Sequence, residues 1–117
     1  MEDRMMQSML LDFYGELLTE RQRSCYELHV NEDLSLSEIA EQSGISRQGV
    51  WDIIRRAEES LRRFEEKTGL VARFSAQREL LARADDRISR LLPLTEGRAH
   101  ELAAETGEII KELNNGI

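Results

Sequence analysis

Residues 34–56, LSLSEIAEQSGISRQGVWDIIRR, decide the fold of this chain. Ser35 and Glu38 have the spacing of a capping box, in which each side chain accepts the backbone amide of the other residue. They predict a short helix, and Gly44 then predicts a tight turn because glycine tolerates the positive φ that ends many helices. Ser46 is placed to cap the next helix. Two helices joined by so short a turn predict a helix-turn-helix unit.

The helix after Ser46 is predicted to run to about Lys67, because Thr68-Gly69 is a common stop signal. This is longer than a recognition helix needs, so we expect its second half to have another role. Upstream, Thr19 and Gln22 form a second capping box and predict a further helix. A first helix is expected before it, with six apolar residues on one stripe: Met5, Met6, Met9, Leu10, Phe13 and Leu17.

The composition favours helices over strands. Hydrophobic residues make up 40% of the 117 residues, charged residues 33% and aromatic residues 5%, with one proline. We therefore predict an all-α fold without a sheet. We expect a helix-turn-helix domain without a wing at residues 1–69, followed by a C-terminal segment at residues 70–117.

The C-terminal segment has apolar residues on a four-three spacing in two stretches that residues 93–97 separate. This pattern predicts a helical hairpin or coiled coil, whose stripes pair either within the chain or between two chains. Pairing between chains would make the protein a homodimer. The first stretch holds Leu70, Phe74, Leu81, Ala84, Ile88 and Leu91, and the second holds Ala99, Leu102, Thr106, Ile109 and Leu113.

The formal net charge of -7 and the pI of about 4.9 oppose indiscriminate binding to phosphates. The charge is uneven, however. Residues 1–34 hold 3 basic and 8 acidic residues, a net charge of -5, whereas residues 46–63 hold 5 arginines and 3 acidic residues, a net charge of +2. Any contact with DNA must therefore be local to the second stretch.

The helix after Ser46 separates its polar and apolar residues when it is drawn as a wheel of about 100° per residue. Val50, Ile53, Ile54 and Ala57 occupy one half, as expected of a back face that packs on the domain. The other half meets the requirements of a helix that enters the major groove. The candidate DNA-binding residues are Ser46, Arg47, Gln48, Trp51, Asp52, Arg55 and Arg56.

Arg47 and Gln48 are the leading candidates for reading bases, because arginine can donate two hydrogen bonds to guanine and glutamine can bridge adenine. Arg55 and Arg56 lie farther along the helix and are expected to hold phosphates. The helix dipole also favours a phosphate near Ser46. As an alternative, exposed arginines are often only solvated or paired with nearby carboxylates at helical spacing.

Three residues of the same stretch have less certain roles. Trp51 is expected to touch a thymine methyl group, to stack on a partner protein, or to pack half-covered on its own domain. Asp52 can accept a hydrogen bond from cytosine but would repel a misplaced phosphate. Gly49 costs helix stability, which the close approach of the preceding helix or of a backbone would explain.

No arrangement typical of an enzyme is present in the sequence. His29 and His100 are separated by the whole helix-turn-helix unit, and Cys25 has no placed base. No glycine-rich phosphate loop and no metal-ligand spacing occurs, so we expect no catalytic residue, cofactor or metal. A lone cysteine and the lack of a long apolar run predict a reduced, cytoplasmic compartment and no membrane contact.

Three segments carry a resemblance to a known family: residues 18–22, residues 33–41 and residues 44–52. Together they resemble the YlxM family of DNA-binding proteins, and more generally the helix-turn-helix of region 4 of bacterial sigma factors. The resemblance covers about Met9 to Leu70. The family usually has alanine where this chain has Gly49 and tyrosine near Trp51.

The resemblance implies a cytoplasmic bacterial protein whose gene neighbours those of the signal recognition particle, with a regulatory role in that pathway. The first hypothesis is therefore a sequence-specific DNA-binding regulator. The alternative is a protein-interaction module that acts on the signal recognition particle protein or its receptor without binding DNA. In that case the acidic N-terminal half or the C-terminal hairpin would make the contact.

Overall fold

A computed structural model describes residues 4–116 as helices joined by short turns, with no strand in that range, so the all-α prediction is confirmed. The helices are α1 (Arg4–Tyr14), α2 (Glu20–Val30), α3 (Leu36–Ser43), α4 (Arg47–Thr68), α5 (Leu70–Leu91) and α6 (Gly97–Asn115). Short 3₁₀ turns follow α1 at Gly15–Leu17 and α5 at Leu92–Leu94.

The chain divides into two compact units, Met1–Val71 and Ala72–Ile117. The first contains α1 to α4, and the second contains nearly all of α5 and the whole of α6. The roles expected of residues 1–69 and 70–117 stay predictions. Among residues 4–116, no helix combines the length and apolarity needed to cross a lipid bilayer.

Both predicted capping boxes are confirmed. Thr19 Oγ1 accepts the Gln22 amide at 3.2 Å, and the Gln22 side chain accepts the Thr19 amide at 3.1 Å. Ser35 and Glu38 do the same at the start of α3, at 3.1 and 2.9 Å. Each box satisfies two amides that a helix end would otherwise leave without an acceptor, which explains why α2 and α3 begin where they do.

The two predicted stop signals are also confirmed. Gly44 has a φ of +69° and Gly69 a φ of +63°, a left-handed conformation that costs glycine little. The Gly44 amide donates to the carbonyl of Ala40 at 3.0 Å, and the Gly69 amide donates to that of Glu65 at 2.8 Å. As a result three residues separate α3 from α4, and α4 ends at Thr68.

Helix α4 lies at the centre of the first unit and contacts α1, α2 and α3. Its buried face consists of Val50, Ile54, Ala57 and Leu61, which join a core that includes Tyr26 and Ile39. Burying each large apolar side chain contributes about 1.5–3 kcal/mol to folding. This packing fixes which side of α4 remains exposed.

The second half of α4 is held by α1, which is the other role expected for it. Gln7 donates a hydrogen bond to Glu58 at 3.2 Å. Near the end of α4, the Tyr14 hydroxyl donates to Glu65 and forms a hydrogen bond with Thr68. Burial and the hydrogen bond with Glu65 raise the pKa of Tyr14, so it remains a neutral donor.

The stripe predicted for the first helix is wrong in part. The residues that α1 buries are Leu10, Leu11 and Tyr14, whereas Met5 is exposed. Leu17 is also exposed because the α-helix ends at Tyr14 and a 3₁₀ turn rotates the following residues. The buried face is therefore rotated relative to the predicted stripe.

The second unit is a helical hairpin. A Cβ built on Gly107 would lie 3.7 Å from Cγ2 of Ile88, so the middle of α6 returns to the last turns of α5. The buried residues of α6 are Ala103, Gly107 and Ile110. The predicted stripe of Leu102, Ile109 and Leu113 is exposed instead, so its pairing within the chain is wrong. Two of the three buried residues, Ala103 and Gly107, are small, which allows the two helices to approach closely.

Candidate nucleic-acid interface

The N-terminus of α4 is a well-formed helix start at the surface of the first unit. Ser46 has extended backbone angles, and its Oγ accepts the Gly49 amide at 2.9 Å, which confirms the predicted cap. The side chains of Ser46, Arg47 and Gln48 are all exposed. The amides of the first turn and the helix dipole give this end a partial positive charge.

The opposite side of the same turns is firmly packed. Val50 and Ala57 are completely buried and Ile54 nearly so, while Ile53 is half-buried against the same core. The packing of the apolar side of α4 in the core therefore determines that its polar side faces outward. This separation of faces is what a helix needs to enter a groove while attached to its domain.

Trp51 lies on the outward side, one turn into the helix, and is 46% exposed. The central guanidinium carbon of Arg55 lies 5.4 Å from the centre of the indole ring, within the range of a cation–π contact. An exposed indole of this kind presents a large apolar surface to a binding partner. Its contact with Arg55 orients both side chains along the same face.

Four charged side chains form a chain of ion pairs along the outward face. Asp52 lies 3.0 Å from Arg55 and 3.1 Å from Arg56, and Arg55 also pairs with Glu59 at 2.7 Å. The hydrogen bond to Asp52, together with the Glu59 carboxylate, raises the pKa of Arg55. Exposed helical pairs of this type contribute little to stability, so the two arginines can exchange them for another anion at small cost.

All seven predicted site residues lie on one stretch of chain. From Ser46 to Arg56 the helix rises by about 15 Å, which is nearly three helical turns. Six of the seven belong to α4 and the seventh is its cap. We call this set the α4 face, and it consists of Ser46, Arg47, Gln48, Trp51, Asp52, Arg55 and Arg56.

Two features of the α4 face differ from, or add to, the sequence interpretation. Glu59 shares Arg55 with Asp52, and the four-residue spacing of Arg55 and Glu59 was the signal for it. The explanation given for Gly49 is wrong. A Cβ at Gly49 would meet only the Ser46 hydroxyl, at 3.1 Å, and not the preceding helix or a backbone. The tight contact is with the cap itself.

A separate cleft of about 410 Å³ lies between α2 and the turn that precedes α4, and residues 20, 21, 24, 25, 43 and 45 line it. Cys25 lines it but is itself buried, and desolvation raises the pKa of its thiol. A raised pKa disfavours the thiolate that nucleophilic catalysis requires. No residue of the α4 face lines this cleft.

Comparison with known proteins gives consistent matches. A family model described as "UPF0122: Putative helix-turn-helix protein, YlxM / p13 like" matches residues 1–96. A UPF0122 protein of Desulforamulus reducens is 43% identical over 91% of this chain and 88% of its own length. One of Geobacillus kaustophilus is 43% identical over 93% and 96%. One of Acetivibrio thermocellus is 55% identical over 61% of each chain.

Proposed function

We propose that this chain, which belongs to the UPF0122 family of YlxM/p13-like helix-turn-helix proteins, is a regulatory protein that binds DNA through the α4 face. The observation that carries the proposal is the exposure of Arg47, Gln48 and Trp51 on a helix whose opposite side is locked into the core. The family assignment supports the fold, and the arrangement of these side chains supports the partner.

In the proposed complex, the first two turns of α4 enter the major groove. Arg47 donates to the O6 and N7 atoms of a guanine, and Gln48 bridges an adenine. Trp51 lies one turn farther along and contacts a thymine methyl group. The amides at the start of α4, near Ser46, receive a backbone phosphate. These contacts read sequence at the tip of the helix and fix its position beside the groove.

The arginines farther along α4 hold the DNA backbone. Arg55 and Arg56 exchange their pairing with Asp52 for phosphate oxygens, and hydrogen bonds between charged groups favour that exchange. The net charge of -7 repels DNA elsewhere on the chain. Binding to random sequence is therefore weak, and specific contacts supply the affinity.

The proposal is tested by selecting duplexes from a randomised pool with the full-length protein and measuring the enriched site by fluorescence anisotropy. We expect a defined motif and tighter binding to it than to random duplex. The variant with Arg47→Ala and Gln48→Ala should lose this preference. A variant with Arg63→Ala and Gln77→Ala, which removes the same residue types from other exposed positions, should keep it. Failure to enrich any motif at low salt would overturn the proposal.

We also propose that the protein binds DNA as a cytoplasmic homodimer and has no catalytic activity. Two recognition helices about 34 Å apart read successive faces of the major groove. Joining them raises the affinity of an acidic chain without any new contact to DNA. The sole cysteine is buried and reduced, which suits that compartment.

A role in the signal recognition particle pathway is the second candidate function. It is supported by the resemblance of residues 18–22, 33–41 and 44–52 to the YlxM family, and by the exposed indole of Trp51, which suits a protein partner as well as a base. The test is a binding assay with the purified signal recognition particle protein and with its receptor. Saturable binding that Trp51→Ala abolishes, without any DNA binding, would favour this candidate over the first.

A further inference from the structure

Both helices of the second unit carry apolar side chains on their exposed surface. Each of the five large ones is 45% or more exposed, although α6 buries Ala103, Gly107 and Ile110 and α5 half-buries Leu81 and Ile88. Leucine and isoleucine scattered singly on a surface are ordinary, but here they repeat along the two helices at helical spacing. One stripe of exposed apolar residues on α5 consists of Leu80, Ala84 and Leu91, and one on α6 consists of Leu102, Ile109 and Leu113.

The two stripes have the same position relative to the inner side of the hairpin. Leu81 follows Leu80 and is half-buried, just as the buried Ala103 follows Leu102. Because each residue turns a helix by about 100°, each stripe lies about 100° before the inner side of its helix when counted in chain direction. Because α6 runs back along α5, equal rotations place both stripes on the same side of the hairpin. They form one surface, which we call the hairpin face.

The two edges of the hairpin face carry opposite charges. Arg83 and Arg90 follow Leu80 of α5 by 3 and 10 residues. Glu105 and Glu112 follow Leu102 of α6 by the same two spacings, so they occupy the equivalent positions. All four side chains are exposed. Over their full lengths, α5 holds 5 basic and 3 acidic residues, and α6 holds 2 basic and 4 acidic residues. One edge is therefore basic and the other acidic.

The charged neighbours on each helix, such as Glu79 and Asp86 on α5 and Arg98 on α6, reduce this polarity without cancelling it. On α5, Asp86 pairs with Arg87 at 3.2 Å and with Arg90 at 3.3 Å, so one carboxylate serves two guanidinium groups. On α6, Arg98 pairs with Glu101 at 2.9 Å and Lys111 approaches Glu108 at 3.6 Å. Glu105 and Glu112 remain as the acidic groups beside the stripe.

We propose that the hairpin face is the interface between two copies of this chain, with α5 of one copy lying antiparallel on α6 of the other. Two such faces can meet about a two-fold axis in two ways. An axis across the helices puts α5 on α5 and α6 on α6, so like charges meet. An axis along the helices puts α5 on α6 twice, so the arginine edge of each copy meets the glutamate edge of the other.

The result is a four-helix bundle whose neighbouring helices are all antiparallel. The leucine and isoleucine side chains of the two hairpin faces form its core, and the charged edges select the partner helix. This inference specifies the dimer on which part of the proposed function rests. It concerns α5 and α6 alone, so it is tested without DNA and its failure leaves the α4 face unaffected.

Charge reversal on full-length protein tests the pairing. The first variant has Arg83→Glu with Arg90→Glu, and the second has Glu105→Arg with Glu112→Arg. A matched control for the first variant, Arg21→Glu with Arg63→Glu, makes the same change in net charge on exposed residues of the first unit. Analytical ultracentrifugation gives the dimer dissociation constant, and circular dichroism verifies that each variant keeps its helices.

Each reversal alone should weaken the dimer by about tenfold or more, because two like-charged edges then meet twice. An equimolar mixture of the two variants should form a heterodimer as tightly as the wild type does, and a chain carrying all four substitutions should again form a homodimer. The control should dimerise normally. A monomeric wild type, or single reversals that dimerise as the wild type does, would overturn the proposal. So would a mixture that fails to pair.

Discussion

The carboxylate of Asp52 lies 3.0 Å from the guanidinium of Arg55 on the exposed side of α4. The same carboxylate lies 3.1 Å from Arg56, so one acidic group engages both arginines that the proposal assigns to phosphates. These pairs hold both guanidinium groups close to Asp52. In the proposed complex Asp52 gives up both pairs, so we expect it to lower the affinity for DNA.

Asp52→Asn should therefore raise the affinity for duplex DNA by about threefold to tenfold, because it frees two arginines and removes a negative charge near the backbone. Anisotropy titrations of both proteins at the same salt concentration measure the change. Glu66→Gln, an exposed position at the far end of α4, is the control and should have little effect. An unchanged or lower affinity for every duplex would contradict the assignment of Arg55 and Arg56 to phosphates.

Ser46 caps α4 and, in the proposed complex, lies beside a phosphate; substitution can separate these two roles. Ser46→Ala removes the acceptor for the Gly49 amide and should cost about 1 kcal/mol of unfolding free energy, measured by urea denaturation. Ser46→Asp should keep the stability, since aspartate is a good cap, yet weaken DNA binding through repulsion of the nearby phosphate. If Ser46→Asp binds DNA as well as the wild type, no phosphate lies at this helix end.

Gln48 and Arg56 should respond differently to truncation. Gln48→Ala should relax the preference at a single base pair of the selected site, at a cost of about 1–3 kcal/mol for the preferred base. Arg56→Ala should weaken binding to all sequences alike and reduce the slope of log affinity against log salt by about 0.9. Competition with single-base variants of the site, repeated at several salt concentrations, distinguishes the two patterns. Reversed patterns would show that base and phosphate contacts are assigned to the wrong residues.

Glu38 provides a pH dependence of stability. Its carboxylate accepts the Ser35 amide at 2.9 Å, and this hydrogen bond lowers the pKa of Glu38 below its usual range. A lowered pKa in the folded state means that the stabilisation is present above the unfolded value, about 4.3, and is lost as the pH falls through the folded value.

Urea denaturation between pH 6 and pH 3, a range of about three units that includes that value, should therefore show a smaller acid-induced loss of stability for Glu38→Gln than for the wild type. Glutamine can still accept the amide but does not titrate. Glu41→Gln, an exposed change on the same helix, is the control. Parallel pH profiles for the wild type and Glu38→Gln would refute the role given to the capping box.

The ends of the helices could be predicted from the sequence because their causes are local. The pairs Thr19 with Gln22 and Ser35 with Glu38 need only residues three apart, and a glycine at position 44 or 69 acts through its own φ. The α4 face could be predicted for a related reason. Its polar and apolar residues are so well separated that only one side of the helix can pack.

The buried faces of α1 and α6 could not be predicted, because apolar residues occur on several sides of both helices. In α1 the choice between Met6 and Leu11 depends on which residues α2 and α4 present to it. In α6 the side that faces α5 contains Gly107, because a small residue there leaves room for the side chain of Ile88. The ion pairs of Asp52 were recognisable as spacings, but their sharing between two arginines required coordinates.

Trp51 offers the most direct measurement, because it is the single tryptophan of the chain and lies on the α4 face. Its fluorescence should be followed while duplex DNA carrying the selected site is added, with anisotropy of labelled DNA reporting binding in the same sample. We predict a change in Trp51 emission that saturates together with the anisotropy and is absent from the variant with Arg47→Ala and Gln48→Ala. Saturating anisotropy with unchanged Trp51 emission, or no binding at low salt, would contradict the claim that this face of α4 reads DNA.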